Sequence, residues 1–342
     1  MQLSTQINYA GGFKQAVDQV AELEKVGLDI AWVAEAYSFD AVSAMGYLAA
    51  RTSTVKLAAG ILPIYTRTPT LIAMTAAGID ALSDGRCILG LGASGPQVIE
   101  GFHGVVYDRP LGRTREIIEV CRQTWRRERV EHVGKSYQIP VPAGQGTGLG
   151  KPLKLINHPV RSEIPIYVAS LGPKNVEMTA ELADGWLPLF YLPEKAKQVW
   201  GDDLAAGEAK RSAELGSLEI VAGGLLAIGD GSEAVREFAR PMAALYIGGM
   251  GAKGKNFYND LVKRYGFEAE AEAIQDLYLD GKKEEAAKMV PDELLEATTL
   301  CGSEGYVKDR LAAYKESGVT VLNVTPVGPD PVKLLEQVKG WM

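Results

Sequence analysis

Short runs of apolar residues alternate with amphipathic stretches along the whole chain. Near-continuous apolar runs of this length are typical of strands that are covered on both faces. We predict eight of them, at Leu3–Asn8, Ile30–Ala34, Lys56–Leu62, Cys87–Leu91, Ile166–Ala169, Gly185–Leu189, Leu218–Ile228 and Thr320–Thr325. Helices with one apolar face are predicted between them, among others at Phe13–Val26, Val42–Arg51, Pro69–Leu82, Arg113–Arg127, Pro173–Ala183 and Val307–Ser317. Strand–helix units in this succession predict an α/β fold, a single (β/α)8 TIM barrel with a closed parallel sheet.

Two segments between predicted strands are longer than one strand–helix unit of a barrel requires, so we predict an insertion at each. Residues 130–161, after the fourth strand, combine a hairpin-like piece with a loop rich in glycine and proline. Residues 248–290, after the seventh strand, begin with a glycine-rich run and continue as charged helical sequence. Long loops at the active rim of a barrel commonly act as lids or binding loops. No linker or change of composition divides the chain, so we expect residues 1–342 to form one domain.

A motif occurs twice, each time directly after a predicted strand. Ala93-Ser94-Gly95-Pro96-Gln97-Val98 returns, slightly stretched, as Ala169-Ser170-Leu171-Gly172-Pro173-Lys174-Asn175-Val176. Proline suits the first turn of a helix, and the free N–H groups of a helix start attract an anion. Two such strand ends predict a phosphate-bearing cofactor lying across the carboxyl ends of parallel strands.

The stretch Gly90-Leu91-Gly92-Ala93-Ser94-Gly95 matches the dinucleotide fingerprint G-x-G-x-x-G. That fingerprint normally belongs to the first strand–helix unit and is followed about 20 residues later by an acidic residue that ends the second strand. Here the motif follows the fourth strand, and Glu116, at about that distance, falls inside a predicted helix. We therefore do not expect a Rossmann dinucleotide site.

Composition narrows the classes of partner. The chain of 342 residues carries a net charge of −7 and a sequence pI near 5.3, which argue against nucleic acid and against an anionic membrane surface. No apolar run is long enough to span a membrane, and no secretory signal is recognisable at the start. Cys87, Cys121 and Cys301 are odd in number and far apart, so neither a disulfide framework nor a metal site is expected, and a reducing cytoplasm fits best.

Several stretches, in a fixed order over nearly the whole chain, resemble the bacterial-luciferase-like barrel oxidoreductases. Within that superfamily they are similar to the branch that uses the deazaflavin coenzyme F420. The stretches are Trp32-Val33-Ala34-Glu35, Ala59-Gly60-Ile61, Leu89-Gly90-Leu91-Gly92-Ala93-Ser94-Gly95, Gly134-Lys135-Ser136-Tyr137, Ile166-Tyr167-Val168-Ala169-Ser170, Ala183-Asp184-Gly185-Trp186 and Gly302-Ser303-Glu304-Gly305-Tyr306-Val307.

The resemblance implies which residues hold F420, with FMN as the alternative cofactor. Gly60 and Ile61 fall where F420 members place a bulge with a non-proline cis peptide that presses on the middle ring. The loop after the fourth strand, with Gly92, Ala93, Ser94, Gly95 and Gln97, would surround the ring and its side chain, although Ser94 also suits an ordinary helix N-cap. Ala169, Ser170, Leu171, Gly172, Pro173 and Lys174 would form the phosphate cradle, in which Lys174 supplies a cation.

Catalytic and substrate residues are less well marked. Glu35 takes the place of an acidic residue near the reacting edge of the ring, as a proton donor or its orienting partner, or it only anchors a loop through the backbone of Tyr37 or Ser38. His103 is either an acid of the substrate site or a structural histidine. Relatives that oxidise sugar phosphates carry His and Glu where this chain has Ala36 and Gly95, which argues against that alcohol oxidation and leaves the proton donor unassigned.

Aromatic residues near the rim suggest an apolar substrate. Tyr65 and Arg67 follow the third predicted strand, Trp186 lies within the sixth, and Tyr191 follows it. All four are candidates to line the substrate mouth. Lys253 and Lys255 are candidates to reach the anionic tail of F420.

The resemblance implies hydride transfer between F420 and a small, apolar organic substrate. One alternative is a monooxygenase, which would require FMN because a deazaflavin does not readily form a peroxy adduct with oxygen. The other is a barrel that binds a flavin or deazaflavin without turnover. Relatives often dimerise through the helices that follow strands two and three, so we expect a homodimer with no nucleic-acid or membrane partner.

Overall fold

The computed structural model describes residues 1–7 and 12–342. Its strands are β1 Gln2–Gln6, β2 Ile30–Val33, β3 Lys56–Ala59, β4 Leu62–Pro63, β5 Cys87–Gly92, β6 His132–Val133, β7 Gln138–Ile139, β8 Ile166–Ala169, β9 Gly185–Leu187, β10 Glu219–Ile228, β11 Leu300–Gly302 and β12 Val321–Pro326. Its helices are α1 Phe13–Lys25, α2 Ala41–Arg51, α3 Pro69–Leu82, α4 Pro96–Gly101, α5 Pro110–Trp125, α6 Pro173–Leu182, α7 Pro193–Glu208, α8 Ser232–Glu237, α9 Ala239–Ala244, α10 Phe257–Arg264, α11 Glu268–Leu279, α12 Lys283–Lys288, α13 Asp292–Ala297, α14 Glu304–Glu316 and α15 Pro331–Lys339, with a 3-10 turn at Ala213–Leu215 and a π-helical turn at Leu245–Gly249.

The parallel strands close into a ring. In the described residues the order around it is β1, β2, β3, β5, β8, β9, β10 and β12, and β12 pairs again with β1. The register is set by pairs such as Leu3 with Leu322 and Ser4 with Ile30, and the contact of Gly185 with Glu219 joins β9 to β10. The predicted TIM barrel is confirmed, with insertions after its fourth and seventh strands.

Alternation along the strands separates two apolar layers. Ala31 and Val33 on β2 face the helices, whereas Ile30 and Trp32 join side chains of β3, β5, β8, β10 and β12 inside the ring. There Trp32 packs on Tyr167, with 5.6 Å between the ring centroids. The interior of the barrel is therefore filled, and ligands are restricted to the rim, as is usual for this fold.

Differences from the predicted elements are local. Asn8, at the end of the first predicted strand, lies outside the described residues. The third predicted strand divides into β3 and β4 at the Gly60–Ile61 peptide bond, which is cis. β11, which no pattern predicted, pairs with β10 beside the ring. Its three residues are too few to show a period. Within the described residues no helix has the length and apolar character that a membrane span requires.

A buried carboxylate holds the hairpin of the first insertion against the barrel. Glu116 of α5 accepts hydrogen bonds from the backbone N–H groups of Lys135, Ser136 and Tyr137, at 2.8–3.2 Å, and lies 3.2 Å from Nε2 of His132. Burial raises the pKa of Glu116, but these hydrogen bonds outweigh it and hold the pKa below its usual value. A charged side chain of the helical layer therefore anchors the hairpin.

We predict that Glu116→Gln lowers the free energy of unfolding at pH 7 by about 2 kcal/mol, because charge-assisted hydrogen bonds are lost. A lowered pKa means that the stabilisation is complete above the unfolded pKa, about 4.3, and disappears as the pH falls through the folded value. Urea unfolding should therefore show a constant gap between wild type and variant above about pH 4.3, and a gap that closes as the pH falls below that value.

The control is Glu119→Gln on the same helix, because Glu119 is half-exposed and lies 3.8 Å from the His132 ring. A gap that stays constant with pH, or an equal loss in the control, would contradict the assigned role of Glu116.

Candidate active site

The loops that follow β5 and β8 line one cavity at the carboxyl rim of the barrel. Its volume is about 540 Å³. Ten of the predicted cofactor residues line it: Ile61, Gly92, Ala93, Ser94, Ala169, Ser170, Leu171, Gly172, Pro173 and Lys174. The two copies of the sequence motif therefore face a shared space.

The two glycines of β5 make room for the turn after β3. A Cβ at position 90 would lie 1.7 Å from the carbonyl oxygen of Ala59, and one at position 92 would lie 2.8 Å from Cδ1 of Ile61. The turn is also held by β2, because the N–H of Gly60 donates to the carbonyl of Val33 at 2.7 Å. The G-x-G pair thus serves close packing of the bulge, and Ile61 is left facing the cavity.

The start of α6 forms a set of free donors. Gly172 is the N-cap, Pro173 follows it, and no side chain caps this end. In the part of the chain that the structure describes, the N–H groups of Leu171, Gly172 and Lys174 donate to no acceptor, and the buried side-chain oxygen of Asn175 has no partner. The free N–H groups are suited to an anion such as a phosphate, and the amide oxygen of Asn175 is suited to accept from a hydroxyl group beside it.

Lys174 is highly exposed and is not a free cation. Its Nζ lies 2.8 Å from Glu177, which also pairs with Lys210 at 2.5 Å. The hydrogen bond to Glu177 raises the pKa of Lys174. Lys174 therefore keeps its charge beside the cradle but shares a carboxylate.

The loop after β5 departs from a simple helix cap. Ser94 has a positive φ of 57°, and its carbonyl accepts a hydrogen bond from the Tyr107 hydroxyl at 3.4 Å. The N-cap of α4 is Gly95 and not Ser94, so that expectation is wrong. Gln97 is exposed, and neither it nor Gly95 is among the residues that line the cavity.

Glu35 and Arg67 form a buried pair next to the rim. Arg67 donates two hydrogen bonds to the Glu35 carboxylate, at 2.5 and 2.9 Å, and the N–H of Ala41 at the start of α2 donates a third at 2.8 Å. Glu35 thus anchors the loop before α2 through Ala41, where the sequence suggested Tyr37 or Ser38. Neither side chain of the pair lines the cavity.

The structure also corrects three of the predicted substrate residues. Trp186 is fully buried in the helical layer because position 186 of β9 points outward, while Leu187 points to the cavity. Tyr191 is buried as well and donates its hydroxyl to the carbonyl of Ser317 at 3.0 Å. Tyr65 lies beneath Tyr107 and donates to the carbonyl of Asp108, so it is not exposed at the mouth either.

His103 lies outside the cavity lining. Its ring packs edge-on against Phe102, with 5.1 Å between the centroids, and its buried Nε2 has no hydrogen-bond partner among the described residues. A search of the described part of the chain found no cluster of histidine, cysteine, aspartate and glutamate that could bind a metal ion.

The second insertion supplies cavity residues that the sequence did not reveal. Phe257 and Tyr258 at the start of α10 line the cavity, and Tyr258 packs on Tyr246 of the π-helical turn at 4.8 Å. The amides of the buried Asn256 and Asn259 bond the carbonyl of Ile247 and so fix this turn. Lys253 instead pairs with Asp276 at 2.5 Å.

The family model for luciferase-like monooxygenases matches residues 1–321. The chain belongs to this family. A Mycobacterium tuberculosis protein, provisionally named as a coenzyme F420-dependent oxidoreductase, is 40% identical over 339 residues, which are 97% of each chain. The 5,10-methylenetetrahydromethanopterin reductase of Archaeoglobus fulgidus is 29% identical and is matched over 92% of this chain and 90% of its own.

Among solved structures, the luciferase-like fold of this chain is similar to the coenzyme F420-dependent tetrahydromethanopterin reductase from Methanopyrus kandleri. The TM-score is 0.79 at 24% identity, and the match covers 98% of this chain and 96% of the other. The predicted family is confirmed, and its relatives include proteins named for their dependence on F420.

For this luciferase-like barrel we predict that two glycine-to-alanine changes on β5 differ sharply. Gly90→Ala meets a backbone carbonyl and should lower the free energy of unfolding by more than about 3 kcal/mol, whereas Gly92→Ala meets the end of a flexible side chain and should cost about 1 kcal/mol. Urea unfolding measures both. Gly78→Ala, in open space on α3, is the control. Equal costs at positions 90 and 92 would contradict the packing role of the motif.

Proposed function

We propose that this chain is an F420-dependent oxidoreductase that transfers a hydride between the deazaflavin and a small, apolar organic substrate. The observation that carries the proposal is the single cavity that joins Ile61 of the cis bulge to the free N–H groups at the start of α6. The name of the relative at 40% identity supports F420 over FMN.

The residues present fit a ring attached to a phosphate. Ile61 and the loop of Ala93 and Ser94 would hold the ring, and Gly172 with the unpartnered oxygen of Asn175 would face the phosphate and its neighbouring hydroxyl groups. A Cβ at position 172 would meet no atom within 4 Å, which leaves open space for that ligand. When bound, F420 supplies a carbon centre that gives or takes a hydride.

The second insertion would hold the substrate. Leu187, Leu189, Phe257 and Tyr258 give the cavity an apolar part of its lining. Burial raises the pKa of the Tyr258 hydroxyl, so that group stays neutral and can donate a hydrogen bond to a substrate oxygen or nitrogen. Such a wall excludes water and favours a small, apolar molecule with one polar atom.

Of the two residues predicted to be catalytic, His103 is the better candidate for a proton exchange. Its Nε2 has no partner among the described residues, and an imidazole nitrogen can donate or accept a hydrogen bond. Glu35 accepts three hydrogen bonds, two of them from Arg67, so its side chain is suited to positioning the rim.

We predict that the fluorescence of F420 is quenched or shifted when it binds to the purified chain. FMN should bind at least about tenfold more weakly. Titration of the protein with each compound, under the same buffer and salt, is the measurement. Consumption of reduced F420 with a panel of small ketones, imines and enones then separates an enzyme from a barrel that only binds the deazaflavin. Tight FMN binding with oxygen uptake would overturn the proposal in favour of a monooxygenase.

A homodimer is part of the proposal. Leu71, Met74 and Leu82 on one face of α3 are 45%, 52% and 67% exposed, and Tyr47 on the neighbouring α2 is also exposed, which makes an apolar surface of the kind that proteins usually cover.

We therefore predict a mass near twice 36.8 kDa in sedimentation equilibrium, and a shift towards the single-chain mass when Met74→Glu introduces charge into that surface. Lys308→Glu, on the exposed side of α14, serves as the matched charge control. A wild-type mass of a single chain at micromolar concentration would refute the dimer.

A further inference from the structure

Two buried tryptophans hold two successive carbonyls of the cradle. The indole Nε1 of Trp186 donates to the carbonyl of Ser170 at 2.9 Å, and that of Trp200 donates to the carbonyl of Leu171 at 3.0 Å. Both side chains are fully buried, and their rings meet edge to face at 5.0 Å. Neither tryptophan is among the residues that line the cavity.

Because the peptide unit is planar, these two hydrogen bonds also set the direction of the N–H groups that follow each carbonyl. In a trans peptide the carbonyl of one residue and the N–H of the next point in opposite directions. With the carbonyls of Ser170 and Leu171 drawn towards the tryptophans, the N–H groups of Leu171 and Gly172 are turned away from the helical layer. In the described structure those two N–H groups have no acceptor, and both residues line the cavity.

We propose that Trp186 and Trp200 are positioning residues that orient the anion-binding N–H groups of Leu171 and Gly172. The inference rests on the proposed function, since the anion it assigns to this cradle is the phosphate ester of the cofactor. The pair acts through the loop backbone and touches no ligand. Other contacts of the rings support the orientation, because Tyr191 stacks on Trp200 and Tyr265 packs edge-on against it.

Phenylalanine at either position would remove the donor and leave a buried carbonyl unpaired. The loop would then gain by rotating that peptide unit towards another donor or water, which turns the following N–H away from the anion. The affinity for a ligand that lacks the phosphate would not change with this rotation. This difference distinguishes a positioning role from a general loss of stability.

The test compares two ligands on three variants. Trp186→Phe and Trp200→Phe are titrated with F420 and with the phosphate-free deazaflavin that ends at its ribityl hydroxyl group. Trp125→Phe is the matched control, because Trp125 is equally buried and its Nε1 donates to the carbonyl of Ala73 at 2.9 Å, between α5 and α3. Far-ultraviolet circular dichroism and thermal unfolding show that each variant is folded.

We expect Trp186→Phe and Trp200→Phe each to weaken F420 binding by about tenfold or more, while affinity for the phosphate-free compound changes by less than about threefold. The control should change neither. Equal weakening for both ligands, or no change for either, would overturn the inference. If a phenylalanine variant fails to fold, benzothienylalanine at position 186 removes only the indole N–H and keeps the shape, and the same pair of outcomes decides.

A second readout does not depend on the cofactor. Inorganic phosphate titrated into labelled wild-type protein should shift the amide resonances of Leu171 and Gly172, and Trp186→Phe should reduce that shift at Leu171. Absence of any shift in wild type would overturn the inference. Failure of wild type to bind F420, with the phosphate shift intact, would instead refute the proposed function and leave the positioning role standing.

Discussion

Strand β5 approaches the turn after β3 so closely that a side chain at position 90 would overlap the carbonyl of Ala59. This contact sets the shape of the rim, because it allows the chain to bulge at Gly60 and to direct Ile61 into the cavity. The loop that leaves β5 then continues past Ala93 and Ser94 along the same wall. The same G-x-G sequence can belong to a dinucleotide-binding motif or can serve close packing of two strands. Here the position of the motif on the fourth strand of the ring distinguishes the two.

The neighbouring wall of the cavity, formed by the loop after β8, is held by a different set of contacts. The loop after β8 owes its orientation to hydrogen bonds from the layer of helices behind it, where the indole groups of Trp186 and Trp200 are the donors. Tertiary packing around these rings is extensive, so the donors are held in place before any ligand arrives. In the proposed function, a cradle prepared in this way would bind an anion without having to reorganise first.

The sequence predicts the eight barrel strands and the helices between them because these segments have their own hydrophobic period and, in many cases, a glycine or proline boundary. The loops after β5 and β8 were singled out by the motif that they share and by the family resemblance. Contacts between distant residues were not: Arg67 pairs with Glu35 across 32 positions, and nothing in either neighbourhood indicates this. Trp186 was assigned to the wrong face because a strand of three residues, Gly185–Leu187, does not reveal which side is inward. Phe257 and Tyr258 were missed because their place depends on how the second insertion folds over the rim.

The central claim is that one ligand occupies both walls of the cavity at once. A crystal structure of the chain with F420 tests it most directly. The account predicts the deazaflavin ring against Ile61 and the phosphate within hydrogen-bond distance of the N–H groups of Leu171 and Gly172. A ring bound away from Ile61, or a phosphate held elsewhere on the rim, would contradict it.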